Sequence, residues 1–196
     1  MTSRLHLGLA LTLLSVCAFT GTARADDELV ALREDGRLYG WFAAVGAHAS
    51  ILSDTRDRGL LSGRFGYGAR GGYRHAGYGG FLAVEHNMWL TTENDIEVVQ
   101  GAVNIGFGFE ATYARGFVRT SFSVGPSILA FDTALDDAGT TGVFFDLHPV
   151  GLRWTVHKNL VIGLDPIGFA LIMPVLDGIP LIDVQYRTDL YLEGVF

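Results

Sequence analysis

The chain has 196 residues, of which 49% are hydrophobic, only 18% are charged and 26 are glycine, with a formal net charge of −7. The acidic balance argues against nucleic acid as a partner, because a phosphate backbone selects basic surfaces, and the lone cysteine, Cys17, rules out an internal disulfide framework. Glycine at this abundance inside strand-like runs weakens ordinary sheets, but a narrow barrel, whose interior must fit side chains from all sides, has a use for it.

Met1-Thr2-Ser3-Arg4 precedes an apolar run from about Leu5 to Phe19, followed by Ala23-Arg24-Ala25. A basic start, a short apolar core and a small-x-small site predict a secretory signal, residues 1–25, cut after Ala25. The run is too short for a spanning helix, which needs about 20 apolar residues. Cys17 leaves with the signal, and Val16 is not the small residue that a lipidated cysteine calls for in front of it. Residues 26–37 are charged and read as a periplasmic lead-in. Residues 38–196 read as one domain.

That domain alternates. Side chains on a strand point to opposite faces in turn, and eight such runs can be traced. The first, about Leu38 to Ile51, sets Tyr39, Trp41, Ala43 and Val45 against Phe42, Ala44, Gly46 and His48. The second, about Gly63 to Arg74, sets Phe65, Tyr67 and Tyr73 against Arg64, Arg70 and Arg74, which share their face with glycines. An arginine facing lipid at the midplane costs about 2–4 kcal/mol, so these three must point inward. The third, Tyr78 to Trp89, brings Glu85 inward. The fourth, about Ile96 to Tyr113, brings Glu110 inward opposite Ile105, Phe107 and Phe109. The fifth, about Phe117 to Leu129, brings Arg119 inward.

The sixth run, about Val143 to Val156, places Arg153 inward, although its first half, Phe144 to Pro149, alternates poorly. The seventh starts at Leu160 with Asp165 inward. Pro166 cannot donate to the ladder, which predicts a bulge, and GFALIMPVL beyond it is apolar on both phases, as a half-strand above the membrane or packed on a loop would be. The last run, Asp183 to Phe196, puts Val184, Tyr186, Thr188, Leu190, Leu192, Gly194 and Phe196 on one face, and Asp183, Gln185, Arg187, Asp189, Tyr191, Glu193 and Val195 on the other. Short connections (75–77, 114–116, 157–159) alternate with longer ones (53–62, 90–95, 130–142, 173–181). Tyr73, Tyr78, Tyr113, Trp154 and Tyr191 fall near the short turns, and Trp89, Phe131 and Phe144 near the long loops, as two aromatic girdles.

The long alternating terminal strand closing on Phe196 resembles that of small eight-stranded bacterial outer-membrane β-barrel proteins of the OmpA/OmpX-like type. The resemblance implies an all-β, eight-stranded antiparallel up-and-down transmembrane barrel in the outer membrane. It also implies outer-membrane lipid and lipopolysaccharide as surroundings, Phe196 as the signal read by the β-barrel assembly machinery, and a monomer with a structural, adhesive or surface-interaction role. Arg64, Arg70, Arg74, Glu85, Glu110, Arg119, Arg153, Asp165, Asp183, Arg187, Asp189 and Glu193 would then form a paired ion network filling the lumen, since an unpaired buried charge is costly. A narrow ion path is the functional alternative, but eight strands leave room only for side chains.

No cofactor, metal site or catalytic residue is expected. His48-x-Ser50, with Asp54 the nearest acid, is a weak echo of the lipid A deacylases and acyltransferases among small outer-membrane barrels, and Asp146 with His148 is a bare i, i+2 pair. A soluble, secreted lipocalin-like barrel would share the strand number and invert the faces.

Overall fold

Strict two-residue alternation forces each strand to serve two environments, and a sheet that closes on itself supplies them without leaving an edge. The computed structural model describes residues 38–53, 61–89, 99–131, 141–157, 159–173, 175–176, 179–180 and 182–196. The signal, the lead-in and the central parts of the longer loops, Asp54 included, lie outside the described residues.

The elements are β1 (Gly40–Ser53), β2 (Leu61–His75), β3 (Tyr78–Trp89), β4 (Val99–Tyr113), β5 (Val118–Phe131), β6 (Thr141–His157), β7 (Leu160–Met173), the two-residue β8 (Val175–Leu176) and β9 (Ile179–Pro180), and β10 (Asp183–Val195). Eight of them close a barrel in the order β1-β10-β7-β6-β5-β4-β3-β2, with every neighbouring pair antiparallel. β8 and β9 form a separate two-stranded sheet. Chain neighbours are sheet neighbours throughout, which is up-and-down topology. β1 and β10 close the ring from Phe42↔Val195 to Ser53↔Val184. The seam runs on through reciprocal backbone bonds between Trp41 and Phe196, at 3.2 and 2.9 Å.

The β2–β3 turn is a two-residue hairpin in which Ala76 (φ 52°) and Gly77 (φ 85°) both take positive φ. This is the turn whose twist matches antiparallel strands. The β4–β5 turn runs through Ala114, Arg115 and Gly116, all with positive φ.

Two prolines mark where the alternation changes phase. On β7, Val161, Gly163 and Asp165 are buried, Pro166 and Ile167 are both exposed, and Gly168, Ala170 and Ile172 are buried after them. The expected bulge is there. GFALIM continues β7 within the barrel sheet, paired to both β6 and β10. β6 does the same at Pro149–Val150. Phe144, Asp146 and His148 point inward on one phase, Gly151 and Arg153 on the other. Its first half therefore alternates well; the extra residue hid the pattern. Threonines on neighbouring strands bond the carbonyls of both prolines, Thr120 to Pro149 at 2.8 Å and Thr188 to Pro166 at 3.1 Å.

The outside is an apolar belt of exposed Val45, Leu82, Val84, Ile105, Phe107, Phe122, Val124 and Leu190, among others. Near the short turns it ends in aromatics: Trp41 against Tyr73 and Phe117 against Trp154, edge to face at 5.2 and 5.7 Å, with Tyr78 and Tyr113 beside them. Two residues read as girdle members are corrected. Tyr191 and Phe144 are 7% and 1% exposed and point into the lumen, Tyr191 because it shares a phase with Glu193 and Phe144 because of the β6 bulge. The side chains of Trp89 and Phe131 lie outside the described set. The faces are those of a polar-filled barrel in apolar surroundings, the reverse of a lipocalin.

Candidate functional site: the lumenal charge network

The interior is built in layers. Nearest the short turns, Arg74 donates to both oxygens of Glu193 at 2.8 and 2.7 Å and to Glu110 through Nε. Arg153 also donates to Glu193, and Arg119 to Glu110 at 3.4 Å and to Asp165. Arg70 stands 3.5 Å from Glu193 and 3.9 Å from Glu110. Four guanidiniums thus surround two carboxylates, and aromatic faces take up the surplus. The Arg74 guanidinium lies 3.7 Å over the Phe42 ring, and Arg70 and Arg119 lie 4.4 and 4.8 Å from Tyr191. Ring faces are electron-rich and attract such cations.

Glycine makes this density possible. A Cβ on Gly163 would fall 1.9 Å from the Tyr191 ring, and one on Gly151 would fall 2.0 Å from Asp165 Oδ1.

The layer toward the longer loops is different. Arg187 is its central cation, bonded to Glu85 at 2.9 Å through both terminal nitrogens, to Gln185 at 3.1 Å, to Asn87 at 3.2 Å and to Asp146 at 3.4 Å. Asn87 and Asn104 each donate to Glu85, at 2.8 and 2.7 Å. Arg64 and Asp183 pair at 2.6 Å closer to the loops. Histidine supplies the rest: His148 meets Asp146 at 2.7 Å, Asp189 at 3.1 Å and Asp165 at 3.5 Å. A cavity of about 100 Å³ lies between the layers, lined by His48, Arg70, Glu85, Arg119, His148 and Tyr191 among others.

The twelve charged residues assigned to the lumen lie on the inward phase of their strands, and eleven of them stand within 4.0 Å of an oppositely charged side chain; the twelfth, Asp189, meets only His148 and His48 among the described residues. Sequence reasoning gave no role to Asn87, Asn104 or Gln185, placed Tyr191 in a girdle, and set Asp146 and His148 aside as a bare i, i+2 pair. Pro149 was the available signal, because a proline within a strand marks a bulge and with it a change of phase. The His48–Ser50 couple is not formed. His48 Nε2 bonds Asn87 at 2.6 Å, and the buried Ser50 hydroxyl has no partner. Both side chains face the lumen, away from lipid.

No family model matches the sequence, and no curated protein matches it. Among solved structures, Neisserial surface protein A is similar, with a TM-score of 0.56 at 14% identity over 80% of this chain and 97% of that one. Ail, the attachment invasion locus protein of Yersinia pestis, has a TM-score of 0.48 at 14% identity over 81% of this chain and 99% of its own. It has also been solved in complex with the heparin analogue sucrose octasulfate. The inward charges, the outward apolar belt and the closed antiparallel register together give this chain the fold of the small eight-stranded outer-membrane β-barrels.

Proposed function

We propose that the protein resides in a bacterial outer membrane as a monomeric barrel with a side-chain-filled lumen. Its role is structural and surface-interacting, and it touches lipid and lipopolysaccharide on its outside. The observation that carries this reading is the pairing of a closed barrel with an exposed apolar belt. Large residues such as Leu82, Phe107 and Leu190 are 64%, 51% and 58% exposed, and a continuous belt of this kind around a closed barrel is favourable against hydrocarbon. Lumenal arginines packed among carboxylates fill the bore, which supports a scaffold rather than a diffusion pore. Phe196, whose backbone completes the β1–β10 seam, is the residue proposed to be read during barrel assembly.

The test is heat-modifiability of the protein from a purified outer-membrane fraction. A gel shift on boiling, with the protein in that fraction, is the expected result. An unshifted protein in the soluble periplasm would sink the proposal. Replacing the loop segments 54–60 and 132–140 by Gly-Ser and measuring bacterial attachment to host surfaces tests the surface role; unchanged attachment would leave only the structural one. Lipid A profiles, read by mass spectrometry, are expected to be the same with His48→Ala and Ser50→Ala as with the parent protein.

A further inference from the structure

The two lumenal layers differ in how their acids are neutralised, and one acid has no arginine. Asp165 takes Arg119, and Asp146 shares Arg187 with Glu85. Asp189 pairs with no arginine among the described residues; its partners are His148, through the Nε2 that also meets Asp146, at 3.1 Å, and His48, through Nδ1, at 3.8 Å.

His148 stands among three carboxylates and is 6% exposed. A neutral imidazole that donates Nε2–H to Asp146 keeps its lone pair on Nδ1. That nitrogen is buried without a hydrogen-bond partner, as are Asp165 Oδ1 and Asp189 Oδ1. Nδ1 faces Asp165 Oδ2 at 3.5 Å. Two acceptors at that distance repel each other unless a proton or a metal ion lies between them.

We propose that His148, Asp165 and Asp189 form a binding site for a divalent transition-metal ion of the zinc class inside the barrel. One ligand atom from each lies within 4.8 Å of the others; Asp165 is on the Nδ1 side of the ring and Asp189 stands against Nε2, so Asp189 would turn toward Nδ1 to complete the site. Bonds of about 2.0–2.1 Å to a tetrahedral ion set neighbouring ligand atoms roughly 3.3 Å apart, close to the His148–Asp165 spacing. One imidazole with carboxylates suits zinc better than magnesium or calcium, which take oxygen ligands alone. Asp146 is the outer carboxylate that fixes the ring's tautomer, the usual partner of a metal-bound histidine. The cavity beside the cluster, about 100 Å³, has room for water as a fourth ligand, since a water occupies about 30 Å³. The site lies in the barrel interior and stands whatever the loops bind.

The experiment uses the full barrel refolded in detergent micelles, with Zn²⁺ alone as the probe and bound metal counted by mass spectrometry after dialysis. His148→Gln and Asp189→Asn keep side-chain size, and heat-modifiability shows that each still folds. The expected result is a single zinc ion per barrel, with affinity at least about tenfold weaker in both variants. Co²⁺ in the same site should show the visible absorption of a four-coordinate ion. Absence of stoichiometric zinc, or zinc held equally by both variants, would overturn the proposal and make His148 an imidazolium paired with its three acids. Should neither variant fold, the nitrogen-15 spectrum of the parent protein decides. A zinc-induced shift of the His148 Nδ1 signal supports the site, and an unmoved signal overturns it.

Discussion

The lumen near the short turns and the lumen toward the longer loops solve the same problem with opposite surpluses. Around Glu110 and Glu193 there are more guanidiniums than carboxylates, and the rings of Phe42 and Tyr191 absorb the excess. Around His148 there are more carboxylates than guanidiniums, and histidine, asparagine and glutamine make up the difference. Both layers hold buried polar atoms without a hydrogen-bond partner, but of opposite kind: guanidinium Nε–H donors of Arg119 and Arg153 in the first, the carboxylate oxygen Asp189 Oδ1 in the second. Equal barrel geometry therefore does not imply equal rigidity or equal affinity for ions.

Glu193→Gln is expected to have the largest effect. Glu193 is 0% exposed and accepts from Arg74 and Arg153. Removing its charge leaves buried guanidiniums uncompensated, at a cost of about 3–5 kcal/mol, to be read as a lower urea midpoint for unfolding from micelles. A charge placed on the outer belt gives the reference scale. Leu82→Arg is expected to cost up to about 2–4 kcal/mol, the penalty of an arginine facing lipid, measured in lipid vesicles by the same denaturant titration. A smaller effect follows from crowding. Gly163→Ala pushes a methyl into the Tyr191 ring and is expected to cost about 1–3 kcal/mol, with a change in tyrosine near-ultraviolet dichroism as the sign that the ring has moved.

The smallest effect sharpens the contrast. Asp189→Asn neutralises an acid that has no arginine and lies close to Asp146 and Asp165 across His148. In metal-free buffer it is expected to shift stability by under about 1 kcal/mol. A loss as large as that of Glu193→Gln would show the two layers to be alike.

Much of this was legible along the chain because strand alternation is local. In β2 and β10 the residue type at every second position names the face, and a charge that cannot face hydrocarbon settles which face is inside. Arg64, Arg70, Arg74, Arg187, Asp189 and Glu193 were readable on that ground alone, and Pro166 announced its own bulge because it has no N–H to donate. Which charge meets which was not readable. Arg74 finds Glu193 across 119 residues of sequence, and Arg187 finds Glu85 across 102; those meetings depend on how neighbouring strands are staggered when the sheet closes. The β6 bulge likewise exists through its pairing with β5 and β7, and it alone turns Asp146 and His148 into neighbours of Asp165 and Asp189. Alternation belongs to a single strand, whereas register and closure belong to the whole sheet. Residue order along each strand therefore sets inside and outside, and closure of the sheet sets the partners.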